Sequence, residues 1–190
     1  MPESTTHTRR NLLTGAEILV TAGRLKRPWQ GQRTTADEPE RPPHDPSCYL
    51  CPGNLRSEGQ TRNPRYTSTY CFTNDFSALQ GHTAALPSTG SALLQWAPER
   101  GICEVVIYSP RHDLTMANMT LAQIVSVIKL WQGRYQALLQ RDDLAYVQIF
   151  QNEQMGSSNP HPHGQIWATE NLLGEPELED TYQRLHYDRW

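Results

Sequence analysis

The sequence predicts an α+β protein in which an antiparallel sheet carries one main helix on one face. Short apolar runs at residues 103–109 and 146–152 indicate strands, and a run at 164–169 is expected to pair antiparallel with the second of these. One long amphipathic segment after Thr120 indicates the helix. The remaining chain is loop-rich, since its 14 prolines are concentrated in the connecting stretches.

Length and composition limit the classes of function. A chain of 190 residues is long enough for one domain, so a single domain over residues 1–190 is expected. A formal net charge of -3 argues against a nucleic-acid partner. No apolar run approaches the ~20 residues of a membrane-spanning helix and no signal peptide is present, which favours the cytoplasm and no membrane.

The N-terminal third combines a polar start, a short strand and a basic cluster. Residues 1–10 are polar and expected to be poorly ordered, whereas residues 17–21 form a strand pattern after a Thr-Gly turn. Arg24 and Arg27 lie in a basic cluster whose guanidinium groups could clamp phosphate oxygens, although such clusters are also common as solvated surface. Residues 31–46 form a loop.

Cys48 and Cys51 form a CxxC pair, the spacing that lets two thiolates bind one tetrahedral Zn²⁺. A redox pair is the rival interpretation. The motif follows a proline-rich loop and does not open a helix after a strand, which disfavours a thioredoxin-like site. The other two cysteines, Cys71 and Cys103, lie in apolar strand-like runs and are expected to be inert.

Three further elements follow along the chain. Residues 69–73 indicate a strand that ends at Asn74 and Asp75, residue types that usually form turns. Thr120 begins a capping box that opens the helix. Apolar residues spaced four and three apart are expected to form its core-facing stripe: Ile124, Ile128, Trp131, Tyr135 and Leu138. The last segment, residues 175–190, is charged and helical in pattern.

The run from Asn159 to Ala168 carries the strongest functional signal. Proline should keep His161-Pro162-His163 extended, and Gly164 lacks a Cβ, so a bulky ligand could approach His163 closely. A neutral imidazole can accept a phosphoryl or nucleotidyl group as a labile N–P adduct. The alternative is an exposed edge strand with no chemistry. The layout favours covalent group transfer, with Gln165 as a polar clamp.

The run Asn-Pro-His-Pro-His-Gly-Gln-Ile-Trp-Ala resembles the active-site signature of the galactose-1-phosphate uridylyltransferases, in the histidine-triad superfamily. Further family stretches occur in the same order: Thr14-Gly15, Lys26-Arg27-Pro28-Trp29-Gln30-Gly31, His44-Asp45-Pro46, Cys48-Tyr49-Leu50-Cys51 and Phe72-Thr73-Asn74-Asp75-Phe76. The resemblance covers nearly the whole chain but only the family's first half. It implies an N-terminal uridylyltransferase domain, without the family's C-terminal half.

The resemblance implies a fold, a reaction and a set of residues. The fold is a histidine-triad-like antiparallel sheet with zinc-anchored loops. The reaction transfers UMP from UDP-glucose to galactose 1-phosphate through a uridylyl adduct of His163, steadied by Gln165, in a homodimer. The implied zinc ligands are Cys48, Cys51, His112 and His161, and Glu179 matches a ligand of a second, iron-binding site. The implied substrate-binding residues are Arg24, Arg27, Ser57, Asn74, Asp75, Asn152, Ser157, Ser158 and Gln165.

One loop departs from the family. Residues 152–160 are shorter than usual, lack a Lys-Gly pair, carry Ser157 in place of cysteine and introduce Glu153. Losing a cation near a diphosphate should weaken binding unless another group compensates. Three alternatives remain: a histidine-triad hydrolase or adenylyltransferase, a non-catalytic zinc-stabilised half-domain that binds UDP-sugars, and a plain structural protein.

Overall fold

A four-stranded antiparallel sheet forms the centre of the larger of two compact units. The units comprise residues 39–171 and residues 1–38 with 172–190. The computed structural model describes residues 6–21, 40–82, 90, 93, 97–152, 157–172 and 174–189.

The strands of this sheet are β3 (Tyr70–Thr73), β4 (Gly101–Ile107), β5 (Tyr146–Phe150) and β6 (His163–Thr169). Their spatial order is β3-β4-β6-β5, and every neighbouring pair is antiparallel. The predicted strands and the predicted antiparallel pairing of β5 with β6 are therefore confirmed.

Strand β6 has one face in the hydrophobic core and one face that carries His163 and Gln165. Its residues alternate between half-buried and buried, so His163 and Gln165 lie on one face while Ile166 and Ala168 lie on the other. The register pairs Ile107 with His163. The Ile166 face packs into the main hydrophobic core, whereas Ile107 packs with the Cys48 segment on the opposite face.

Helix α1 (Leu121–Leu139) covers the core face of the sheet. The predicted capping box is present: Gln123 N–H donates to Thr120 Oγ1 at 3.3 Å, and Thr120 N–H donates to Gln123 Oε1 at 2.8 Å. These bonds satisfy backbone donors that the first helical turn leaves open. The expectation of one main helix packed on one face of the sheet is confirmed.

The predicted core stripe of α1 is wrong at two of its five positions. Ile128 and Tyr135 are 50% and 41% exposed, whereas Val127 is fully buried. The reason is that α1 is apolar around most of its circumference, so more than one stripe fits the spacing. In the observed orientation the Nε of Arg134 donates to Oε2 of the buried Glu104 on β4 at 2.8 Å.

The smaller unit contains the hairpin β1 (His7–Arg10) and β2 (Glu17–Val20) and the helix α2 (Glu175–Tyr187). Strand β2 and the helical C-terminal segment were predicted. The expectation of poor order before residue 11 is wrong for β1, whose polar sequence gives no burial signal but whose backbone pairs with β2. Gly15 closes the turn at φ 71°. No helix in the described parts of the chain is long and apolar enough to cross a membrane.

Two adjacent positions on α1 test this orientation of the helix. Val127→Ala removes fully buried methyl groups and should lower the free energy of unfolding by about 2 kcal/mol. Ile128→Ala, at a half-exposed position, should cost less than about 1 kcal/mol. Urea unfolding measures both values, and a larger loss for Ile128→Ala would contradict the observed packing.

Candidate active site

Two cysteines and two histidines from three separate segments meet at one end of the β4–β6 pair. Cys48 and Cys51 are the first and last residues of one turn, which is closed by the Cys51 N–H donating to the Cys48 carbonyl at 3.2 Å. His112 follows β4 and His161 precedes β6. All four side chains are buried, and their ligand atoms lie within 4.8 Å of one another.

The spacing of these atoms fits a tetrahedral metal ion. The Sγ atom of Cys51 lies 3.5 Å from Nδ1 of His161 and 3.7 Å from Nδ1 of His112. With Zn–S near 2.3 Å and Zn–N near 2.0 Å, tetrahedral angles place sulfur and nitrogen ligands about 3.5 Å apart. The predicted group of four is therefore assembled as a buried site that could bind a metal ion.

Hydrogen bonds around this cluster orient its ligands. His161 Nε2 donates to the Ser109 carbonyl at 2.8 Å, which leaves the Nδ1 lone pair facing the cysteines. Burial lowers the pKa of His161 to about 4, so its ring is neutral at pH 7. Asn159 accepts the His161 backbone N–H at 2.9 Å, and its amide nitrogen donates to Cys48 Sγ at 3.5 Å.

His163 begins β6 beside the metal-ligand cluster. Its Nδ1–H donates to the His161 carbonyl at 2.7 Å. This tautomer leaves Nε2 unprotonated, with a lone pair available for attack. Burial lowers the pKa of His163, and the bond to the carbonyl only partly opposes that shift. The lowered pKa favours the neutral ring, in which Nε2 carries the lone pair.

The side-chain amide of Gln165 is oriented by two neighbours. Trp167 Nε1 donates to Gln165 Oε1 at 3.0 Å, and Asn74 Nδ2 donates to the same oxygen at 3.4 Å. An indole N–H can only donate, so the Gln165 oxygen must face Trp167. The amide nitrogen of Gln165 therefore points away from Trp167 as a donor.

A cavity of about 320 Å³ lies on the β3 side of His163 and is called here the strand-side cavity. Its lining combines aromatic, apolar and polar side chains: Tyr49, Leu50, Ser57, Phe72, Asn74, Asp75, Phe76, Val105, Ser158, His163 and Gln165. Polar groups at the end of a strand above aromatic walls suit a flat heterocycle with a hydroxylated sugar.

The carboxylate of Asp75 is held at the edge of the strand-side cavity by Arg56. The Arg56 guanidinium contacts both carboxylate oxygens, donates to the Thr73 carbonyl at 2.8 Å and lies 3.9 Å from the centre of the Phe72 ring. Ser57 Oγ donates to the same carboxylate at 3.3 Å. Such bidentate pairing fixes the direction of the Asp75 carboxylate.

A second cavity of about 290 Å³ lies on the other side of His163 and is called the loop-side cavity. Its described lining is mostly uncharged and polar: Arg41, Leu114, Thr115, Ala117, Gln151, Asn152, Ser157, Ser158, Asn159, Pro160, His161, Pro162 and His163. Ser158 and His163 line both cavities. The candidate nucleophile thus lies between two binding spaces.

The predicted substrate-binding residues, together with Glu179, fall into four groups. The strand-side cavity contains Ser57, Asn74, Asp75, Ser158 and Gln165, and the loop-side cavity contains Asn152, Ser157 and Ser158. Arg24 and Arg27 lie outside the described residues. Glu179 lies on α2, and within the part of the chain that the structure describes it belongs to no group of three or more potential metal ligands.

The expectation that Gly164 leaves room for a ligand is wrong. A Cβ at this position would collide with the Tyr108 hydroxyl and would lie 2.8 Å from the Phe150 carbonyl oxygen. The glycine faces the core, opposite His163, and the space beside it is filled by protein. Glycine at position 164 therefore allows Tyr108 to pack closely against β6.

Arg41 and Arg56 also lie at the site, and the sequence did not predict either of them as a site residue. Each is fixed by contacts with distant residues: Arg41 with Pro160 and Arg56 with Asp75. No local pattern around either arginine signals these contacts.

Comparison with known proteins decides the family. The profile of the galactose-1-phosphate uridyl transferase N-terminal domain matches residues 2–172. The chain belongs to this family. A galactose-1-phosphate uridylyltransferase from Haemophilus influenzae is 44% identical over 185 residues, covering 96% of the chain and 52% of the relative. The enzyme of the same name from Saccharomyces cerevisiae is 41% identical, over 96% of the chain and 55% of the relative.

This family member spans about half the length of the curated relatives it matches. Solved structures support its fold. A uridylyltransferase structure matches with a TM-score of 0.57 at 22% identity, over 96% of the chain and 51% of that protein. An ADP-glucose phosphorylase from Arabidopsis thaliana matches with a TM-score of 0.66 at 18% identity, over 98% of the chain and 56% of that protein.

The predicted binding of zinc and the stability of the fold should be lost together when a cluster ligand is removed. Cys51→Ala or His161→Ala should abolish stoichiometric zinc and lower the melting temperature by roughly 10 °C, the shift that a loss of about 3–5 kcal/mol produces at this length. Elemental analysis and thermal unfolding measure the two effects.

Cys103→Ala is the matched control, because Cys103 is equally buried but lies outside the cluster. This variant should keep its zinc. Full zinc occupancy in both ligand variants would reject the metal site.

Proposed function

We propose that this chain carries the nucleotidyl-transfer site of a UDP-glucose–hexose-1-phosphate uridylyltransferase, which moves UMP from UDP-glucose to galactose 1-phosphate. The observation that carries the proposal is the 2.7 Å contact between His163 Nδ1 and the His161 carbonyl oxygen, which requires the proton on Nδ1 because a carbonyl oxygen only accepts. His163, whose Nε2 then carries the lone pair, lines both cavities. A nucleophile that lies between a space for the nucleotide and a space for the leaving group is suited to covalent transfer.

In the first half-reaction Nε2 of His163 attacks the α-phosphorus of UDP-glucose. The N–P bond forms as the bond from the α-phosphorus to the bridging oxygen breaks, and that electron pair leaves on the phosphate of glucose 1-phosphate. In the second half-reaction a phosphate oxygen of galactose 1-phosphate attacks the same phosphorus and the N–P bond breaks. His163 returns to its neutral form.

The strand-side cavity suits the uridine. Asn74 offers its amide to the base, and the Asp75 carboxylate, held by Arg56, can accept hydrogen bonds from ribose hydroxyls. The ring of Phe72 gives the base an apolar wall. Placing the nucleoside here directs the α-phosphorus towards His163, which lines the same cavity.

Gln165 is proposed to steady the transferring phosphoryl group. Its oxygen is occupied by Trp167 and Asn74, so its amide nitrogen is the group available to donate to a phosphoryl oxygen. A donor fixed before the reaction needs no reorganisation as charge moves during transfer. Ser158, which lines both cavities, offers a hydroxyl at the same point.

Zinc is the metal proposed for the Cys48, Cys51, His112 and His161 cluster. Two thiolates and two imidazoles close a tetrahedral shell, which is typical of structural zinc. Zinc would stabilise the loops at the end of the sheet. The backbone carbonyl of His161 accepts the hydrogen bond from His163 Nδ1–H, so His161 links the metal cluster to the proposed nucleophile.

Other properties implied by the family resemblance are proposed on that basis alone. They are a homodimer, a cytoplasmic location and a role for Glu179 in a second, iron-type site. The leading alternative is a non-catalytic, zinc-stabilised half-domain that binds UDP-sugars. The chain spans about half the length of these relatives, so this alternative should be tested directly.

Incubation with UDP-glucose should add one uridylyl group to the chain at His163. Peptide mass spectrometry locates the adduct. His163→Ala should form none, whereas His163→Gly should regain transfer when imidazole is added, because glycine leaves space that the free ring can enter.

His82→Ala provides the control, since His82 is exposed and lines neither cavity. It should label at the wild-type rate. Binding of UDP-glucose without any adduct would support the half-domain alternative, and an adduct that persists in His163→Ala would remove His163 as the nucleophile.

A further inference from the structure

Asp75 places a carboxylate in a cavity that is proposed to bind an anionic nucleotide. Among the described residues that line the strand-side cavity it has the only carboxylate, and none of them is a lysine or an arginine. An unpaired carboxylate at this position would repel the phosphates of the ligand. The charge of Asp75 therefore needs a partner from outside the cavity lining.

Arg56 is that partner. Its Nε donates to Asp75 Oδ2 at 3.1 Å, and its Nη2 contacts Asp75 Oδ1. The side chains of Arg56 and Asp75 are only 13% and 8% exposed, so solvent screens the pair weakly. Because Arg56 is not among the residues that line the cavity, it compensates the charge of Asp75 from outside the nucleotide space.

The direction of the Arg56 guanidinium is fixed by β3. Its Nη2 also donates to the Thr73 carbonyl at 2.8 Å, and its central carbon lies 3.9 Å from the centre of the Phe72 ring. The Phe72 ring in turn stacks on Tyr70, with 5.7 Å between the ring centres. A planar guanidinium held in this way presents its donors to a carboxylate in one fixed direction. Arg56 therefore sets the orientation of Asp75 as well as its charge balance.

The contacts of the Asp75 carboxylate leave one of its oxygens able to accept a further hydrogen bond. An ionised carboxylate has about four acceptor positions, two on each oxygen. Within the described part of the chain, Arg56 Nε and Ser57 Oγ both donate to Oδ2, whereas only Arg56 Nη2 contacts Oδ1. Oδ1 therefore keeps an acceptor position. A ribose hydroxyl suits it, because a hydroxyl donates without bringing a charge that would compete with Arg56.

We infer that Arg56 is a positioning residue that orients the Asp75 carboxylate towards the ribose hydroxyls and thereby sets a preference for ribonucleotides. This inference rests on the proposed function, because it takes the nucleoside to lie in the strand-side cavity. A site built to bond a hydroxyl rejects the analogue that lacks it, since the acceptor is then left unpaired. The rival role for Arg56 is an ion pair that only stabilises the loop after the CxxC motif.

Calorimetry with UMP and with its 2′,3′-dideoxy analogue separates these roles, because the two ligands differ only in the ribose hydroxyls. The wild-type chain should bind UMP roughly tenfold to a hundredfold more tightly, the effect of one hydrogen bond to a charged group. In Arg56→Gln this ratio of affinities should fall below about threefold, because Asp75 can turn away from the ribose. Both ligands should also bind more weakly, since an unpaired carboxylate repels the phosphate that they share.

Two further variants separate the charge of Arg56 from its geometry. Arg56→Lys keeps the charge but not the planar fork, so it should restore most of the affinity for the analogue and little of the ratio. Asp75→Ala should bring the ratio close to one. Adding Arg56→Gln to Asp75→Ala should change the ratio no further, because both substitutions act through one carboxylate.

Arg134→Gln is the matched control, because Arg134 also pairs with a mostly buried carboxylate, that of Glu104, and lines neither cavity. It should lower the melting temperature and keep the wild-type ratio. A wild-type ratio that survives in Arg56→Gln would make Arg56 purely structural and overturn the inference. A ratio near one in the wild-type chain would overturn it as well.

Labelling of His163 by UDP-glucose keeps a failure of this inference distinct from a failure of the proposed transfer. An adduct on a chain that binds both ligands equally overturns the inference and leaves the transfer standing. Loss of discrimination in Arg56→Gln supports the inference even if the wild-type chain forms no adduct, a result that would overturn the transfer. If the wild-type chain does not bind UMP, the inference is wrong, and the adduct alone decides the transfer.

Discussion

The convergence of Cys48, Cys51, His112 and His161 is the constraint on which the site depends. These residues come from three segments that are far apart in sequence, and each segment continues directly into part of the site. The Cys48 segment forms a wall of the strand-side cavity, and the chain after His161 becomes β6. A metal ion bound by these four side chains would link the three segments, in addition to the apolar packing of Leu50 against Val105 and Ile107.

The alternation of side chains along β6 places the polar candidate site residues together on one face. Because successive side chains point to opposite faces, His163, Gln165 and Trp167 share the face away from α1. Trp167 then orients Gln165, and the His161 carbonyl orients His163. A shift of one residue in the pairing of β4 with β6 would exchange these polar groups for Ile166 and Ala168 and place the imidazole in the core.

Sequence patterns predicted the elements better than the contacts between them. Each strand predicted from residue 17 onwards appears, and the capping box at Thr120 marks the start of α1, because strand alternation and helix capping are local properties. The orientation of α1 could not be predicted from its own sequence, since several apolar stripes fit the spacing and the observed one also involves a contact between Arg134 and the distant Glu104. The proposed zinc ligands His112 and His161 could be named only through the family resemblance, because only tertiary folding brings them to the CxxC pair.

The close packing of Tyr108 against Gly164 has an evolutionary consequence. Even a methyl group at position 164 would collide with the Tyr108 hydroxyl and crowd the Phe150 carbonyl. Relief of the first contact requires a smaller residue at position 108, while the second contact involves backbone that no substitution removes. Gly164, beside the proposed nucleophile His163, is thus constrained by packing on the face of β6 opposite His163. A descendant that kept this sheet would therefore still require glycine at position 164, even if it no longer needed a catalytic site.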